Sequence, residues 1–325
     1  MQKIVIVGGV AGGATAAARA RRLDEAAEIV IFERGEYISF ANCGLPYYIG
    51  GVIEEREALL VTTAEMFTKK YNVEIRSQTE VLSINRGAKE VLVKNLSTGE
   101  ETCVSYDKLI LSPGAEPFRP EVKGVNLPGV FTLRNIPDTD RIKRYVDEMK
   151  PATCLVAGAG FIGLEMAENL VERGVETTVV ELSDQIMPPL DVEMAAAVET
   201  HIKEKGVRVL TRTSVGSIEK EGELFKVILK GEKGFDAQGF DLVLLATGVR
   251  PETSLALSAE LEMSLKGGVK VDGAMRTSAQ DIFATGDAVT TLDYVTGSEV
   301  MIPLAGPANR QGRIAADNDM GRKSV

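Results

Sequence analysis

Cys43 is a candidate reactive thiol and lies in the segment SFANCGLPYYIGG. Pro46 predicts a short helix that begins just after the cysteine, because proline is favoured at the first helical position. Unpaired backbone N–H groups and the helix dipole would then stabilise the Cys43 thiolate. No other cysteine is close in sequence, so the pattern favours a mixed disulfide with a small thiol, or a sulfenic acid. A buried, unreactive thiol is the alternative, and it is the prediction for Cys103 and Cys154.

A complete glycine fingerprint occurs at GAGFIG, residues 158–163. Gly158 allows a tight turn, Gly160 lets the backbone approach a pyrophosphate, and Gly163 lets a helix pack on a strand. Glu181 closes the next predicted strand, where a carboxylate would accept hydrogen bonds from ribose hydroxyls. No Lys or Arg follows in LSDQ to hold a 2′-phosphate. The segment therefore predicts a site that prefers NADH to NADPH.

A modified copy of this fingerprint occurs at GGVAGG, residues 8–13. Gly8 and Gly13 keep the outer positions, whereas Val10 occupies the middle one. Glu33 closes the following predicted strand, as Glu181 does in the complete copy. Two dinucleotide sites in one chain indicate a flavin and a nicotinamide, since these two cofactors exchange hydride.

The segment FATGDA, residues 283–288, supports the flavin prediction. A strand that ends in Gly-Asp can place Asp287 beside a ribitol hydroxyl, although a helix cap is the alternative role for this residue. The full set of predicted cofactor-binding residues is Gly8, Val10, Ala11, Gly12, Gly13, Glu33, Arg34, Val81, Gly114, Gly158, Gly160, Phe161, Ile162, Gly163, Glu181, Gly248, Gly286 and Asp287. No metal site is predicted.

The elements around both glycine segments repeat one order: strand, glycine turn, helix, strand. The strands show no polar alternation, which is typical of a parallel sheet buried on both faces. Alternating runs after each unit predict small antiparallel meanders, and residues 138–149 predict a helix. The fold class is therefore α/β, with two nested Rossmann-like, three-layer domains. We predict an FAD-binding domain at 1–112 that resumes at 250–325, and an NADH-binding domain at 113–249.

Composition excludes several partner classes. The 325 residues include 37 Lys and Arg against 47 Asp and Glu, a formal net charge of −10. This balance argues against nucleic acid and anionic membranes as partners. The longest mostly apolar stretch, residues 4–18, is too short to span a membrane. Three cysteines without paired spacing favour a reducing cytoplasm.

Six ordered motifs together resemble a known family: GGVAGGATAAARARRL, SFANCGLPYY, GAGFIGLEMAE, LLATGVRPE, FATGDA and PLAGPANRQGR. The chain resembles the single-cysteine branch of the pyridine nucleotide–disulfide oxidoreductases. Within that branch it is most similar to coenzyme A-disulfide reductases and NADH-dependent persulfide reductases. The resemblance implies a C-terminal interface domain that this chain lacks, a homodimer for the full-length form, and a proton donor in that domain.

The resemblance also implies roles for individual residues. Cys43 would be the redox-active nucleophile beside FAD, and Phe161 a gate over the flavin. Arg19 and Arg22 lie at i and i+3 and could grip a phosphate, or could merely complement the dipole of their helix. The residues implied in coenzyme A binding are Thr15, Arg19, Arg22, Ser39, Asn42, Lys70 and Asn309.

The function predicted by the resemblance is an FAD-dependent enzyme that passes hydride from NAD(P)H to Cys43 and on to a coenzyme A disulfide or persulfide. Two alternatives stay open at this point. One is an NADH oxidase or peroxidase that uses a Cys43 sulfenic acid. The other is a flavin-binding redox-sensing module that does not turn over.

Overall fold

The computed structural model describes residues 1–232 and 234–325. Its helices are α1 (Ala11–Leu23), α2 (Leu45–Gly50), α3 (Ala64–Tyr71), α4 (Ile136–Met149), α5 (Phe161–Glu172), α6 (Val192–Glu204), α7 (Ser254–Ser258) and α8 (Ala305–Asp319). Its strands are β1 (Lys3–Val7), β2 (Glu28–Phe32), β3 (Glu74–Arg76), β4 (Thr79–Asn85), β5 (Glu90–Asn95), β6 (Glu101–Ser105), β7 (Lys108–Leu111), β8 (Ala115–Pro117), β9 (Val130–Phe131), β10 (Thr153–Ala157), β11 (Glu176–Val180), β12 (Arg208–Leu210), β13 (Ser214–Glu221), β14 (Leu224–Gly231), β15 (Gly234–Phe240), β16 (Leu242–Leu245), β17 (Val249–Pro251), β18 (Val269–Lys270), β19 (Ile282–Ala284), β20 (Val289–Leu292) and β21 (Glu299–Val300).

The chain divides into two compact units. The first unit comprises residues 1–40, 60–116 and 251–325, and the second comprises residues 41–59 and 117–250. The sequence predicts that residues 1–112 belong to one domain, whereas residues 41–59 group with the second unit. The physical reason is that α2 packs against α4 and α5.

The first unit is built on a parallel sheet in the order β19-β7-β1-β2-β3. Alternate residues of β1 enter different cores. Ile4 and Ile6 pack with the alanines of α1 and with α8, and Val5 and Val7 pack with residues of the meander β4-β5-β6. The sheet is therefore buried on both faces, as the apolar run in β1 predicts.

Helices α1 and α8 approach each other closely because small residues line their contact. A side chain at Gly312 of α8 would overlap the carbonyl oxygen of Gly12 in α1. Near the other end of the contact, Arg19 Nε donates to Asp317 Oδ1 at 2.7 Å. Packing and this partly buried ion pair together fix α8 on α1.

The second unit repeats the arrangement. Its parallel sheet has the order β12-β11-β10-β16-β9. Leu155 and Ala157 of β10 share a core with Phe225, Val227 and Leu229 of β14, which belongs to the antiparallel meander β13-β14-β15. The prediction of an α/β fold with two parallel sheets and small meanders is confirmed.

Helix boundaries differ slightly from the prediction. Helix α4 begins at Ile136 rather than at residue 138. Asn135 caps it, since its side chain accepts a hydrogen bond from the backbone N–H of Asp138 at 3.0 Å, and Asn is a favoured capping residue. None of the helices in the described parts of the chain is long and apolar enough to cross a membrane.

Candidate functional site

Cys43 is exposed and lies in a short 3₁₀ turn, Asn42–Gly44, that leads directly into α2. The predicted helix is present, and it begins at Leu45 with Pro46 as its second residue. The alternative of a buried Cys43 therefore does not hold. Asn42, a predicted substrate residue, is exposed in the same turn.

Tyr47 lies near Cys43, and sequence reasoning did not select it. Partial burial, followed by the charges of Glu168, Glu165 and Cys43, raises the pKa of the Tyr47 phenol. The phenol therefore stays protonated at neutral pH in the neighbourhood of the thiol.

The other two cysteines differ from each other. Cys154 is fully buried in β10, and burial raises the pKa of its thiol far above the usual range, as expected for an unreactive cysteine. The prediction that Cys103 is buried is wrong, because this residue is exposed. It stands on β6, where Val104 alone is buried, so its side chain is on the solvent face of the meander.

The first glycine loop joins β1 to α1. Gly8 has φ +93°, a left-handed conformation that favours glycine, and a side chain there would overlap the carbonyl of Ser112. Its N–H donates to Phe32 O at 2.8 Å. Val10 takes the capping position of α1, and Ala11 is the first helical residue.

A cradle of small residues surrounds Gly12. A β-carbon at Gly12 would lie 2.6 Å from Ser112 Oγ and 2.7 Å from Thr285 Oγ1. Among the described residues, the buried Thr285 hydroxyl has no hydrogen-bond partner. Such an unsatisfied buried group is costly unless a bound ligand satisfies it, so the cradle fits the pyrophosphate of a dinucleotide.

Two further predicted flavin residues follow Thr285. Gly286 donates its N–H to Gln311 Oε1 at 2.7 Å, and Asp287 is half-buried in a 3₁₀ turn. Gly114, another predicted residue of this unit, has φ +80°.

A cleft of about 310 Å³ opens beside Gly8 in the first unit. Phe32, Arg34, Val81 and Pro113 contribute to its lining. The Arg34 guanidinium makes two parallel hydrogen bonds of 2.9 Å to the Glu252 carboxylate. This arrangement offers an apolar wall beside fixed polar groups, which is typical of a small-molecule or cofactor site.

Both carboxylates that close the fingerprint strands bond to backbone N–H groups. Glu33 accepts from Gly9 at 2.8 Å and from Gly35 at 2.7 Å. Glu181 accepts from Ala159 at 2.8 Å and from Ser183 at 2.9 Å. Each glycine loop is therefore tied to the end of its second strand.

The second glycine loop joins β10 to α5. Gly158 has φ +107°, and side chains at Gly158 and Gly163 would overlap backbone carbonyls. At Gly160, by contrast, an added β-carbon would have no neighbour within 4 Å in the described parts of the chain. Phe161 and Ile162 are 55% and 36% exposed.

Gly248 follows β16 with φ +105°. An added β-carbon there would likewise meet no atom of the described residues within 4 Å. The backbone at Gly160 and Gly248 is thus open to a ligand in the second unit.

The predicted substrate residues of the first unit separate into four groups. Thr15 Oγ1 donates to Asn309 Oδ1 at 2.8 Å, so these two lie together. Arg19 is engaged by Asp317. Ser39 has φ +46° and donates its N–H to Gly9 O at 3.0 Å.

Arg22 and Lys70 form the fourth group, because both lie against the ring of Tyr71. The Arg22 guanidinium carbon is 5.8 Å and Lys70 Nζ is 5.2 Å from the ring centroid. Hydrogen bonding from Arg22, the largest cause, and from Lys70 lowers the pKa of Tyr71. Tyr71 directly follows Lys70 in sequence, yet nothing in the sequence indicated that the two cations would meet there.

No cluster of three or more His, Cys, Asp or Glu side chains suited to a metal ion occurs within residues 1–232 and 234–325.

Comparison with known proteins places the chain in a family. Residues 2–312 match the model of the pyridine nucleotide-disulphide oxidoreductases. The whole chain is also 35% identical to a coenzyme A disulfide reductase of Staphylococcus haemolyticus and covers 72% of that protein. The chain belongs to this family of oxidoreductases, which use FAD and NAD(P)H.

Two solved structures are similar to the whole chain. One is reduced Bacillus anthracis CoADR-RHD, with 51% identity and a TM-score of 0.95; this chain is covered completely, and it spans 57% of that protein. The other is a NAD-dependent persulfide reductase from A. fulgidus, with 38% identity and a TM-score of 0.94; 99% of this chain is covered, and it spans 59% of that protein. The chain thus spans less than two thirds of either solved protein.

Proposed function

We propose that this chain passes hydride equivalents from NADH through FAD to Cys43, and from Cys43 to a coenzyme A disulfide or persulfide. For the disulfide, the balanced reaction is NADH + H⁺ + CoA–S–S–CoA → NAD⁺ + 2 CoA–SH. The observation that carries the proposal is an exposed cysteine, separate in sequence from any other, in a chain with two dinucleotide-type glycine loops. Similarity to a coenzyme A disulfide reductase and to a persulfide reductase supports it.

FAD would be held by the first unit. The Gly8–Gly13 loop and the unsatisfied Thr285 hydroxyl suit the pyrophosphate, and the cleft that includes Val81 and Arg34 suits the adenosine. Asp287 would contact the ribitol. When bound, FAD supplies the redox step that no side chain can perform, since it accepts a hydride and passes on two electrons.

NADH would be held by the second unit. The open backbone at Gly160 and Gly248 allows a close approach, and the N-terminus of α5 offers free N–H groups to phosphates. Glu181 would meet the ribose hydroxyls. Its negative charge would oppose the 2′-phosphate of NADPH.

Cys43 would perform the thiol chemistry. Its thiolate attacks one sulfur of the substrate disulfide, the S–S bond breaks, and one coenzyme A thiolate leaves and takes up a proton. The resulting mixed disulfide between Cys43 and the second coenzyme A is then reduced by two electrons from NADH. This releases the second thiol and restores the Cys43 thiolate.

The phosphates of coenzyme A would meet Arg22 and Lys70, which already lie close together around Tyr71. Thr15 and Asn309 would provide neutral hydrogen-bonding groups. Arg19 has a smaller part in this proposal than the sequence predicted, because Asp317 occupies its guanidinium.

We also propose that the protein works in the cytoplasm on small thiol substrates, without nucleic acid or membrane partners, and that its full-length form is a homodimer. The net charge of −10 supports the absence of nucleic acid and anionic membranes among the partners.

The test uses a matched pair of exposed cysteines, Cys43 and Cys103. The variant Cys43→Ser should still bind FAD and should show flavin reduction by NADH in stopped flow. Its steady-state turnover with coenzyme A disulfide should fall about a hundredfold or more, whereas Cys103→Ser should behave like wild type. Parallel assays with coenzyme A persulfide, peroxide and oxygen identify the acceptor. Unchanged disulfide turnover in Cys43→Ser would refute the proposal.

A further inference from the structure

Arg212 lies beside the segment that follows Glu181. Its backbone N–H donates to Ser183 O at 2.8 Å, and the next residue, Thr213, donates to Glu181 O at 2.8 Å. Arg212 has φ +49°, a conformation rarely adopted by residues with a side chain. The two hydrogen bonds fix the backbone at this position, so the Arg212 side chain starts next to the loop where a nucleotide ribose would be recognised.

The Arg212 guanidinium is already engaged. Its Nη1 donates to Glu232 Oε1 at 2.7 Å, and the charge of Asp184 acts on it as well. Both members of the pair are well exposed, with 57% of the Arg212 side chain and 65% of the Glu232 side chain accessible. A single ion pair at this exposure is weak, so it can be exchanged for another anion.

We infer that Arg212 is a specificity residue for the nicotinamide cofactor, and that Glu232 keeps its guanidinium from serving the 2′-phosphate of NADPH. The inference rests on the proposed NADH site of the second unit. In related dinucleotide folds an arginine near the ribose accommodates this phosphate. Glu181, Asp184 and Glu232 are all acidic and lie on the segments that meet at Arg212, so the charge of these three residues opposes a phosphate dianion.

The variant Glu232→Gln removes one negative charge and loosens the hold on Arg212. We expect NADP⁺ affinity to rise about two- to fivefold relative to NAD⁺ affinity, the range that an exposed ion pair can supply. The change should depend on Arg212, so the double variant Glu232→Gln/Arg212→Gln should lose most of this gain.

Isothermal titration of the purified protein with NAD⁺ and with NADP⁺ measures the two affinities without turnover. The matched control is Glu221→Gln, which breaks the 2.8 Å pair of Glu221 with Lys226 in the same meander and should leave the affinity ratio unchanged. The ratio of NADPH to NADH flavin-reduction rates gives a second readout. Thermal unfolding of each variant verifies that the fold is intact.

The outcomes separate the two proposals. If wild type binds NAD⁺ but Glu232→Gln leaves the affinity ratio unchanged, the role of Arg212 is overturned while the NADH site stands. An equal gain with and without Arg212 would also overturn it, because charge removal alone would then explain the effect. If wild type binds neither nucleotide, the proposed NADH site fails, and the inference about Arg212 fails with it.

Discussion

The two glycine loops share a hydrogen-bonded backbone but differ in what covers them. Gly8 N–H donates to Phe32 O, and Gly158 N–H donates to Val180 O, both at 2.8 Å. In each loop the last glycine is required because a side chain would overlap the carbonyl of the first. The sheet edge therefore fixes the loop backbone in the same way twice.

The surroundings of the two loops differ at the N-terminus of the helix that follows each loop, α1 in the first unit and α5 in the second. Gly12 is enclosed by Ser112 and Thr285, whereas Phe161 and Ile162 at the start of α5 are substantially exposed. An enclosed cradle suits a cofactor that stays bound, and an open loop suits a nucleotide that exchanges in every turnover. The difference lies in the neighbouring elements rather than in the glycine motif itself.

The largest effect that would sharpen this comparison concerns Asp319, at the end of the helix that packs on α1. Asp319 is only 6% exposed, and among the described residues its carboxyl oxygens have no hydrogen-bond partner. Burial, opposed by the charge of Lys108 and assisted by Asp281 and Asp107, raises its pKa to about 7. The stability of the first unit should therefore depend on pH through the carboxyl of Asp319.

The sign follows from proton binding. Between an unfolded pKa near 3.8 and a folded pKa of about 7, the folded protein binds the proton more tightly, so stability falls as pH rises. The stabilisation of the folded state by the protonated Asp319 carboxyl is full below pH 3.8 and is lost above pH 7. Relative to Asp319→Asn, wild type should lose about 3 to 4 kcal/mol of unfolding free energy between pH 4 and pH 8.

Hydrogen exchange of β1 and β10 amides at both pH values checks this prediction for each unit. Between pH 4 and pH 8, the free energy of opening measured by exchange should fall for the β1 amides of wild type and not for those of Asp319→Asn. The variant Glu148→Gln, which changes an exposed carboxyl of α4, serves as the control. Identical pH dependence in wild type and Asp319→Asn would contradict the assignment.

Much of this comparison could be predicted from the sequence because it rests on local patterns. The apolar strands β1 and β10 predict parallel sheets buried on both faces, and the spacing of Gly158, Gly160 and Gly163 predicts the loop. The position of Glu33 and Glu181 at the strand ends predicts a role for both residues. Their bonds to the loop backbone were not predicted, because these depend on how each carboxylate turns.

Contacts between distant residues could not be predicted. Arg19 was expected to face a substrate, but it pairs with Asp317, which lies 298 residues further along the chain. The meeting of Arg22 with Tyr71 likewise depends on how α1 and α3 are placed. Composition favours a buried Cys103. The residue is exposed because it lies on the solvent face of β6, and the sequence does not show which face of a strand is covered.

A smaller effect on stability distinguishes the enclosed loop at Gly12 from the open loop at Gly160. In Gly12→Ala the new methyl would press on Ser112 and Thr285. Overpacking costs about 1 to 3 kcal/mol, partly offset by the better helix propensity of Ala, about 1 kcal/mol. We expect a net loss of about 0 to 2 kcal/mol in stability, together with at least tenfold weaker FAD binding.

In Gly160→Ala the new methyl meets no described residue, so stability should change by less than about 1 kcal/mol. NAD⁺ affinity should nevertheless fall about tenfold, because the methyl occupies space that the pyrophosphate needs. Denaturant unfolding and ligand titration measure both quantities. The control is Gly306→Ala in α8, whose methyl also has free space among the described residues. Equal destabilisation by Gly12→Ala and Gly160→Ala would show that the surroundings of the two glycine loops do not differ.

The smallest expected effect tests what the loops share. Glu33 and Glu181 each accept two backbone hydrogen bonds, and glutamine can replace only one of them, since its amide N–H₂ faces the other donor. Charged acceptors make the stronger bonds, but both residues are half-exposed. We therefore expect Glu33→Gln and Glu181→Gln each to cost about 1 kcal/mol, or about fivefold in cofactor affinity.

Titration of the first variant with FAD and of the second with NAD⁺ measures this, with Glu176→Gln at the exposed start of β11 as the control. If the two losses agree within about threefold, the glutamate–backbone hydrogen bonds contribute equally to cofactor binding at the enclosed loop and at the open loop. A loss confined to Glu33→Gln would instead mean that the open loop keeps its shape through the Gly158 and Gly163 backbone alone.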